Sequence, residues 1–282
     1  MSNQPALTIA GDNDLATNAA RHAIAAVPDD PVYLWRSIAD PLVSKAPVVI
    51  LADAGERAGF AQAALNAGLP TVSLPIKDLD VDLKQAIADG RLRLMSTLHG
   101  LPTLARLQQD ATNGAVGRRY GVFASHRIPT NFVDELDDVV DDLVTYCCSL
   151  IDSSLTRVSV TTSDLGTSAT AGWFILARFA DETIATIEVA AVLPEADESA
   201  GELLIEVTGS EAVLRAAPEQ QGVLIRSAEG VSRSNWYADP SDFLLQRATN
   251  LRDSGNETAS LSTMKLMQKR FEAATANQAV EV

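Results

Sequence analysis

The sequence predicts an α/β domain followed by an α+β domain, and two patterns along the chain carry this interpretation. As far as Thr112, apolar runs of strand length alternate with segments of helical pattern, which is typical of βαβ units around a parallel sheet. Beyond Gly121 the chain instead forms long runs in which apolar and polar residues alternate. Such alternation indicates an open, mainly antiparallel sheet with one covered face, and therefore helices on one face of it.

The first domain is expected to extend over residues 1–119 and to hold a Rossmann-like parallel sheet covered by helices. Glycine signals such as Ala67-Gly68 and Asn113-Gly114 end its helical segments. Its strands are predicted at Ala6–Ala10, Val32–Trp35, Val48–Ala52, Thr71–Leu74 and Arg91–Met95. Its helices are predicted at Asp14–Ala26, Gly59–Asn66, Asp80–Asp89 and Pro102–Thr112.

The second domain is expected over residues 120–282, with its last helices packing back on the first domain. Its strands are predicted at Tyr120–Ser125, Arg157–Thr162, Trp173–Phe179, Thr183–Val192, Leu203–Gly209, Ala212–Ala216 and Gly222–Ser227. Its helices are predicted at Val133–Leu150, Ser241–Leu251 and Ser260–Ala274. The final residues, Asn277–Val282, are expected to be frayed because chain ends are poorly ordered unless something holds them.

Composition and charge exclude several classes of function. The chain is 46% apolar and 21% charged, as in an ordinary globular protein with a full core. No apolar run approaches the roughly 20 residues that a membrane helix needs, and the N-terminus lacks a signal-peptide pattern, so a cytoplasmic protein without a membrane partner is expected. The net charge of −15 repels phosphate backbones, so nucleic acid is not an expected partner.

Four stretches of the chain carry a resemblance to a known family. Ala46–Ile76 is a complete β-α-β unit. Leu104–Val122, LARLQQDATNGAVGRRYGV, is similar to a helix that ends in Gly-x-(Ile/Leu/Val)-Gly before the first strand of a second domain. Ile205–Leu214, IEVTGSEAVL, resembles a Gly-(Thr/Ser)-Glu-Gly strand turn, and Asp242–Ala273 matches a pair of closing helices. In this order the stretches resemble the Gfo/Idh/MocA oxidoreductases, which implies an NAD(P)-binding first domain.

The resemblance assigns the cofactor site to positions at which this sequence departs from the family. The second glycine of the phosphate-binding turn aligns with Asn13, beside two aspartates, Asp12 and Asp14, either of which is expected to cap the first helix. The second strand ends without a carboxylate, and the connection that precedes it is shorter than the family's, which suggests a trimmed strand–helix element. The expected cofactor is therefore absent or weakly bound NAD(P), and its candidate contacts are Gly11, Asn13, Ala16, Arg36 and Asp53.

The catalytic positions that the resemblance implies have also changed. The family's Glu-Lys-Pro lysine falls in the run Ser73-Leu74-Pro75-Ile76, which leaves Lys77 as the nearest candidate. The family's Asp-x-x-x-His-x-x-Asp helix motif keeps its outer aspartates, and an aspartate replaces the histidine that would act as general base. The candidate catalytic residues on this helix are Asp134, Asp138 and Asp141.

Three functions remain open from the sequence. The first is an oxidoreductase-fold protein with a degenerate NAD(P) site that serves as a non-catalytic or accessory subunit, because several site segments depart together. The second is an active NAD(P)-dependent dehydrogenase or reductase on a sugar-like or polyol-like substrate, and the third is a lyase or isomerase that uses the carboxylates of Asp134 and Asp138. Expected partners are a homo- or hetero-oligomer formed through the C-terminal sheet and a small molecule in the cleft between the domains.

The remaining polar and aromatic candidates have simpler interpretations. The histidines, including His99 and His126, lack the spacing of metal ligands, and the adjacent thiols of Cys147 and Cys148 suit neither a disulfide nor zinc, so no metal site is expected. Carboxylates at helical spacing in 134–142 are more typical of a solvated face than of a calcium loop. The pair Trp236-Tyr237 is interpreted as core or interface packing, with sugar stacking as the alternative.

Overall fold

The fold was analysed in a computed structural model. It describes residues 7–26, 32–42, 45–77, 79–151, 153–164, 170–193, 201–217, 222–234, 247–248, 257–276 and 278–282. Two compact units divide the chain: Met1–Gly100 with Ala238–Leu261, and Leu101–Tyr237 with Ser262–Val282. The helix that follows Leu101 belongs by its contacts to the second unit, whereas the boundary expected from sequence lies after that helix, at residue 119.

The first unit contains a five-stranded sheet in which every pairing is parallel. The strands are β1 (Leu7–Ala10), β2 (Val32–Trp35), β3 (Val48–Ile50), β4 (Thr71–Ser73) and β5 (Leu92–Leu94), in the order β2-β1-β3-β4-β5. The helices are α1 (Asp14–Ala26), α2 (Arg57–Asn66) and α3 (Val81–Ala88). The predicted Rossmann-like sheet is thus confirmed, and the order of its strands reverses between β1 and β3.

The connection from β2 to β3 is short, and it leaves β2 at the edge of the sheet. Its described residues, 36–42 and 45–47, form neither helix nor strand, whereas the sequence placed the shortened connection before β2. Trp35 at the end of β2 is buried and meets Phe60 of α2 edge to face, with ring centroids 4.8 Å apart. Gly59 makes room for the connection, because a Cβ there would lie 2.5 Å from Ile38 Cδ1. These apolar contacts cover the end of the edge strand.

The second unit contains a nine-stranded sheet that is antiparallel except for one pairing. Its strands are β6 (Arg119–Pro129), β7 (Leu155–Asp164), β8 (Thr170–Phe179), β9 (Ile184–Leu193), β10 (Glu202–Gly209), β11 (Ala212–Ala216), β12 (Val223–Ser227), β13 (Gly230–Ser234) and β14 (Val280–Glu281). Its helices are α4 (Pro102–Thr112), α5 (Leu136–Leu150) and the larger part of α6 (Glu257–Ala276). The predicted mainly antiparallel sheet is confirmed, and among the described strands only β6 and β9 run parallel to each other.

One face of this sheet is covered by helices and the other is open. Along β9 the residues alternate between the two faces, with Ile187 and Val189 buried beneath α5 and the residues between them partly exposed. On the other face Phe174 and Leu176 of β8 are 45% and 42% exposed. The predicted arrangement, with helices on one face, is therefore confirmed.

The chain end is the clearest error of the sequence-based prediction. Val280 and Glu281 pair with Val158 and Arg157 of β7, and the backbone N–H of Val282 donates to the carbonyl of Thr156 at 3.0 Å. The tail is held because β7 would otherwise be an unpaired edge strand. The strand β13 was also missed, and the helix predicted at Ser241–Leu251 lies outside the described residues, apart from two helical residues at 247–248.

Candidate functional site

The turn after β1 lies where the strand order of the parallel sheet reverses. Gly11 adopts a φ of +137°, and a Cβ there would lie 2.9 Å from the backbone nitrogen of Ala52 and 3.1 Å from Cβ of Ala16. Its backbone N–H donates to the carbonyl of Trp35 at 3.0 Å. Only glycine allows this close approach of α1 to the end of β3. The place at which open α/β sheets commonly bind ligands is therefore present in the fold.

The side chain of Asn13 fills this place. Its Oδ1 accepts a hydrogen bond from the backbone N–H of Ala16 at 2.9 Å, which caps α1. Its Nδ2 donates to the carbonyl of Leu51 at 2.8 Å and to Oδ1 of Asp53 at 2.9 Å. One carboxamide thus closes the N-terminus of α1 and joins it to the residues that follow β3.

The predicted helix cap was therefore placed one residue away from the true one. Asp12 and Asp14 are both exposed, and the cap of α1 is Asn13. An amide satisfies this position better than a carboxylate, because the same group must also donate to the carbonyl of Leu51. The capping function was predicted correctly, and the residue was not.

The rim of the turn is acidic. Asp12, Asp14 and Asp53 are exposed. Arg36, the predicted contact for a cofactor phosphate, lies with its Nε 3.8 Å from Oδ1 of Asp12, and both side chains are more than 60% exposed. An exposed pair of this kind is weak, but it directs the guanidinium toward a carboxylate. An approaching phosphate would meet more negative than positive charge here.

Arg57 lies at the neighbouring part of the same sheet edge. The sequence did not identify it as a site residue. Its Nε donates to the carbonyl of Ala52, and its Nη1 donates to the carbonyl of Pro75, each at 2.8 Å. The guanidinium therefore bridges the segments that follow β3 and β4. The sequence did contain an indication of this role. A cation in the first turn of a helix is unfavourable next to the positive end of the helix dipole, so such a residue is expected to bind acceptors outside the helix. Lys77, beyond Pro75, has an exposed side chain.

The candidate carboxylates of the second unit do not gather into one cluster. Asp134 is exposed in the 3-10 turn Thr130–Glu135 that precedes α5, and Asp138 is partly buried on α5. Asp141 is 4% exposed and its Oδ1 pairs with Nη1 of Arg270. Asp137 approaches the same guanidinium at 3.7 Å. The predicted site residues are thus divided between an ion pair inside the unit and its surface.

Arg270 lies at the centre of an aromatic and acidic cluster. Its guanidinium carbon lies 5.1 Å from the ring centroid of Trp173 and 4.6 Å from that of Phe271. The two rings meet edge to face at 5.3 Å. Beside the cluster is a cavity of about 430 Å³ whose lining includes Asp134, Asp137, Thr162, Trp173, Phe271 and Thr275.

The buried histidine and the thiols are uncharged. His99 is 1% exposed, and burial, together with the charge of Arg247, holds the pKa of its imidazole well below the usual value. Its Nδ1 lies 3.1 Å from the backbone nitrogen of Ser96. Burial raises the pKa of Cys147 well above its ordinary value and that of Cys148 to about 12, so neither thiol is a nucleophile at neutral pH.

The described residues contain no group of three or more His, Cys, Asp or Glu side chains that could hold a metal ion. His126 lies partly buried on β6. Trp236 and Tyr237 lie outside the described residues. Within the described part of the chain, no helix is both long enough and apolar enough to cross a membrane.

A parallel α/β unit followed by an open, mainly antiparallel sheet defines the fold of the Gfo/Idh/MocA-type oxidoreductases, and solved structures of that type are similar to this chain. An oxidoreductase from Agrobacterium radiobacter, in complex with NAD+, L-tartaric acid and magnesium, matches with a TM-score of 0.72 and 14% identity over 98% of this chain and 97% of that chain. A myo-inositol dehydrogenase from Corynebacterium glutamicum matches with a TM-score of 0.69 and 15% identity over 99% of both chains.

An oxidoreductase from Sinorhizobium meliloti matches with a TM-score of 0.70 and 11% identity over 98% of this chain and 99% of that chain. The chain matches no protein-family model and no curated protein. At these identities the likeness is one of fold. The resemblance predicted from sequence motifs is confirmed at that level.

Proposed function

We propose that this chain is an oxidoreductase-fold protein whose nicotinamide site has been closed by its own side chains, and that it acts as a non-catalytic, accessory subunit. The observation that carries the proposal is the position of Asn13, whose carboxamide occupies the N-terminus of α1 at the strand-order reversal. In a dinucleotide-binding fold the same place receives the pyrophosphate.

Pyrophosphate binding needs free backbone N–H groups and a close approach of the anion to the turn. In this chain the N–H of Ala16 is already satisfied by Asn13, and moving that side chain would also break its bonds to Leu51 and Asp53. With each hydrogen bond contributing about 1 kcal/mol, displacement costs roughly 2 to 3 kcal/mol. That loss corresponds to a decrease in affinity of roughly thirty- to two-hundredfold.

Charge opposes the cofactor as well. A bound pyrophosphate would bring two negative charges toward Asp12, Asp14 and Asp53, all of them exposed at this edge. Arg57, a half-buried cation of the same edge, already donates to the carbonyls of Ala52 and Pro75. The expected cofactor state is therefore no NAD(P), or NAD(P) bound only weakly.

A subunit without redox chemistry would act through its surface, and the open face of the large sheet supports this part of the proposal. Four large apolar side chains on that face are between 42% and 50% exposed: Phe174, Leu176, Ile184 and Val192. They lie on the neighbouring strands β8 and β9. Exposed apolar groups that share one face are typical of a protein–protein interface. We assign this face to a second copy of the chain or to a related subunit.

Titration with NADH and with NADPH tests the proposal. Tryptophan quenching and energy transfer to the nicotinamide would report binding. No saturable signal up to millimolar concentration is expected, because the turn is filled and acidic. Micromolar binding of either nucleotide, or hydride transfer by the isolated chain, would overturn the proposal.

The rival function is an active NAD(P)-dependent dehydrogenase or reductase on a sugar-like or polyol-like substrate. Its support is the exposed side chain of Lys77, which follows β4 at the edge where the sheet would present a cofactor, and the NAD+ bound by the Agrobacterium radiobacter oxidoreductase of the same fold. In that case Lys77→Met or Asp138→Asn should abolish turnover and leave the circular dichroism spectrum unchanged.

The third function, a lyase or isomerase driven by carboxylates, has support in Asp134, which lines a cavity with a second carboxylate, Asp137. A pH–rate profile controlled by carboxylates, with no requirement for a nicotinamide, would distinguish this function from the other two.

A further inference from the structure

We infer that the cavity beside α5 and α6 in the second unit binds a small organic cation, a primary or quaternary ammonium compound. The cavity has a volume of about 430 Å³, which lies within the range of small-molecule sites. This ligand site stands whether or not a nicotinamide binds, because all of its lining residues belong to the second unit.

The charge of the cavity wall favours a cation. Two carboxylates, Asp134 and Asp137, belong to the lining, and none of the described lining residues is a Lys, Arg or His. The nearby Arg270 contributes one positive charge, and it is shared between Asp137 and the buried Asp141. Asp134 has no ion pair among the described residues. The wall therefore keeps an excess of negative charge, which attracts a cation and repels an anion.

The aromatic walls supply the second feature that an ammonium group requires. Trp173 and Phe271 meet edge to face, and Arg270 already lies over both rings. Arg270 thus occupies part of both rings, and the ligand would contact the part of Phe271 that Arg270 leaves uncovered. Phe271 is 48% exposed although it is a large apolar side chain, so part of its surface is available to a ligand.

Polar groups of the wall suit a ligand that carries an oxygen next to its ammonium group. Thr162 and Thr275 contribute hydroxyl groups to the lining. An amino alcohol is the simplest compound with both groups.

Choline is a suitable probe, and its neutral isostere, in which carbon replaces the quaternary nitrogen, is the matched ligand control. Isothermal titration of the full chain should show saturable binding of choline and none of the isostere. Asp134→Asn should weaken choline binding by about fivefold or more, because it removes the unpaired carboxylate. Glu135→Gln removes the same charge one residue away, outside the lining, and should change the affinity by less than about twofold.

Each other outcome would overturn the inference. Equal binding of choline and its isostere would mean that the cavity selects shape and not charge. Equal effects of the two substitutions would mean that the acidic surface attracts cations without a site. No binding of choline, ethanolamine or tetramethylammonium at tens of millimolar would exclude an ammonium site. Both substituted side chains are exposed, so the variants are expected to fold.

Discussion

Asn13 combines two chemical functions that no carboxylate provides together. Its oxygen accepts from the N-terminus of α1, and its amino group donates across the turn to Leu51 and Asp53. The sequence identified Asn13 as the residue at the glycine position and predicted an acidic cap beside it. The long-range partners could not be predicted, because Leu51 lies 38 residues away and only the folded sheet brings its carbonyl to the turn.

Asn13→Ala should lower the free energy of unfolding by about 2 to 3 kcal/mol, since it removes a helix cap and two donated hydrogen bonds. Urea denaturation measures the change. Asn18→Ala, at an exposed position on the same helix, is the matched control and should have little effect or slightly stabilise the protein, because alanine is the better helix former. Equal losses for both variants would contradict the bridging role of Asn13.

His99 makes the protein sensitive to acid. Its pKa in the folded state is well below the usual 6.5, whereas in the unfolded chain it returns to that value. Below pH 6.5 the unfolded state therefore binds a proton that the folded state does not, and stability falls as pH decreases. The loss should approach about 1.4 kcal/mol per pH unit from this group alone.

A pH series of urea unfolding curves checks this effect. His99→Gln should reduce the slope of stability between pH 6.5 and the folded-state pKa, even if its stability at pH 8 is lower than that of the wild type. An unchanged slope would mean that other groups cause the acid sensitivity.

At the scale of helices and strands, periodicity predicted most of the fold. Alternating apolar and polar residues predicted the strand Ile184–Leu193 to within a few residues. The helix and two strands between Val48 and Ser73 were predicted equally well. The missed strands, Gly230–Ser234 and Val280–Glu281, are short and polar, so their pattern does not differ from that of a loop. These segments are strands because they pair with a neighbouring strand. That pairing is a tertiary contact, and the local sequence does not predict it.

Removal of residues 278–282 should expose the outer edge of β7. The backbone amides near Val158 would lose their partners in β14, so their hydrogen exchange should become faster, while exchange in the parallel sheet of the first unit stays unchanged. Hydrogen–deuterium exchange with mass spectrometry measures both regions in one experiment. Full retention of protection at Thr156–Val158 would mean that the tail pairing does not hold in solution.

At the scale of the whole molecule, the fold was predictable and the state of its site was not. The order of βαβ units, helix and alternating strands defines the two-domain layout, and four motifs related it to the oxidoreductase family. The closure of the turn depends on the side chains of Asn13 and Arg57, whose partners are backbone carbonyls distant in sequence. Departures from the family motifs predicted a changed site, and the proposal that Asn13 closes the site depends on the geometry of the turn.

The open face of the large sheet should determine the oligomeric state. Phe174→Glu places a charge among exposed apolar side chains on that face and should convert an oligomer into a monomer, because burying the carboxylate would be costly. Light scattering coupled to size exclusion measures the mass. Val81→Glu, at a position 80% exposed on α3 of the first unit, is the matched control and should leave the mass unchanged. A monomeric wild-type chain would contradict this surface assignment.

The closure of the turn by Asn13 is tested by comparing NADH binding to the wild-type chain with NADH binding to a variant that carries Asn13→Gly and Asp53→Ala. Glycine opens the turn at a helix-capping cost of only a few tenths of a kcal/mol, and alanine removes one carboxylate. We expect no saturable NADH binding by the wild type and measurable binding by the variant, whereas Asn66→Gly on α2 should behave like the wild type. Tight NADH binding by the wild-type chain would contradict the closure of the turn by Asn13.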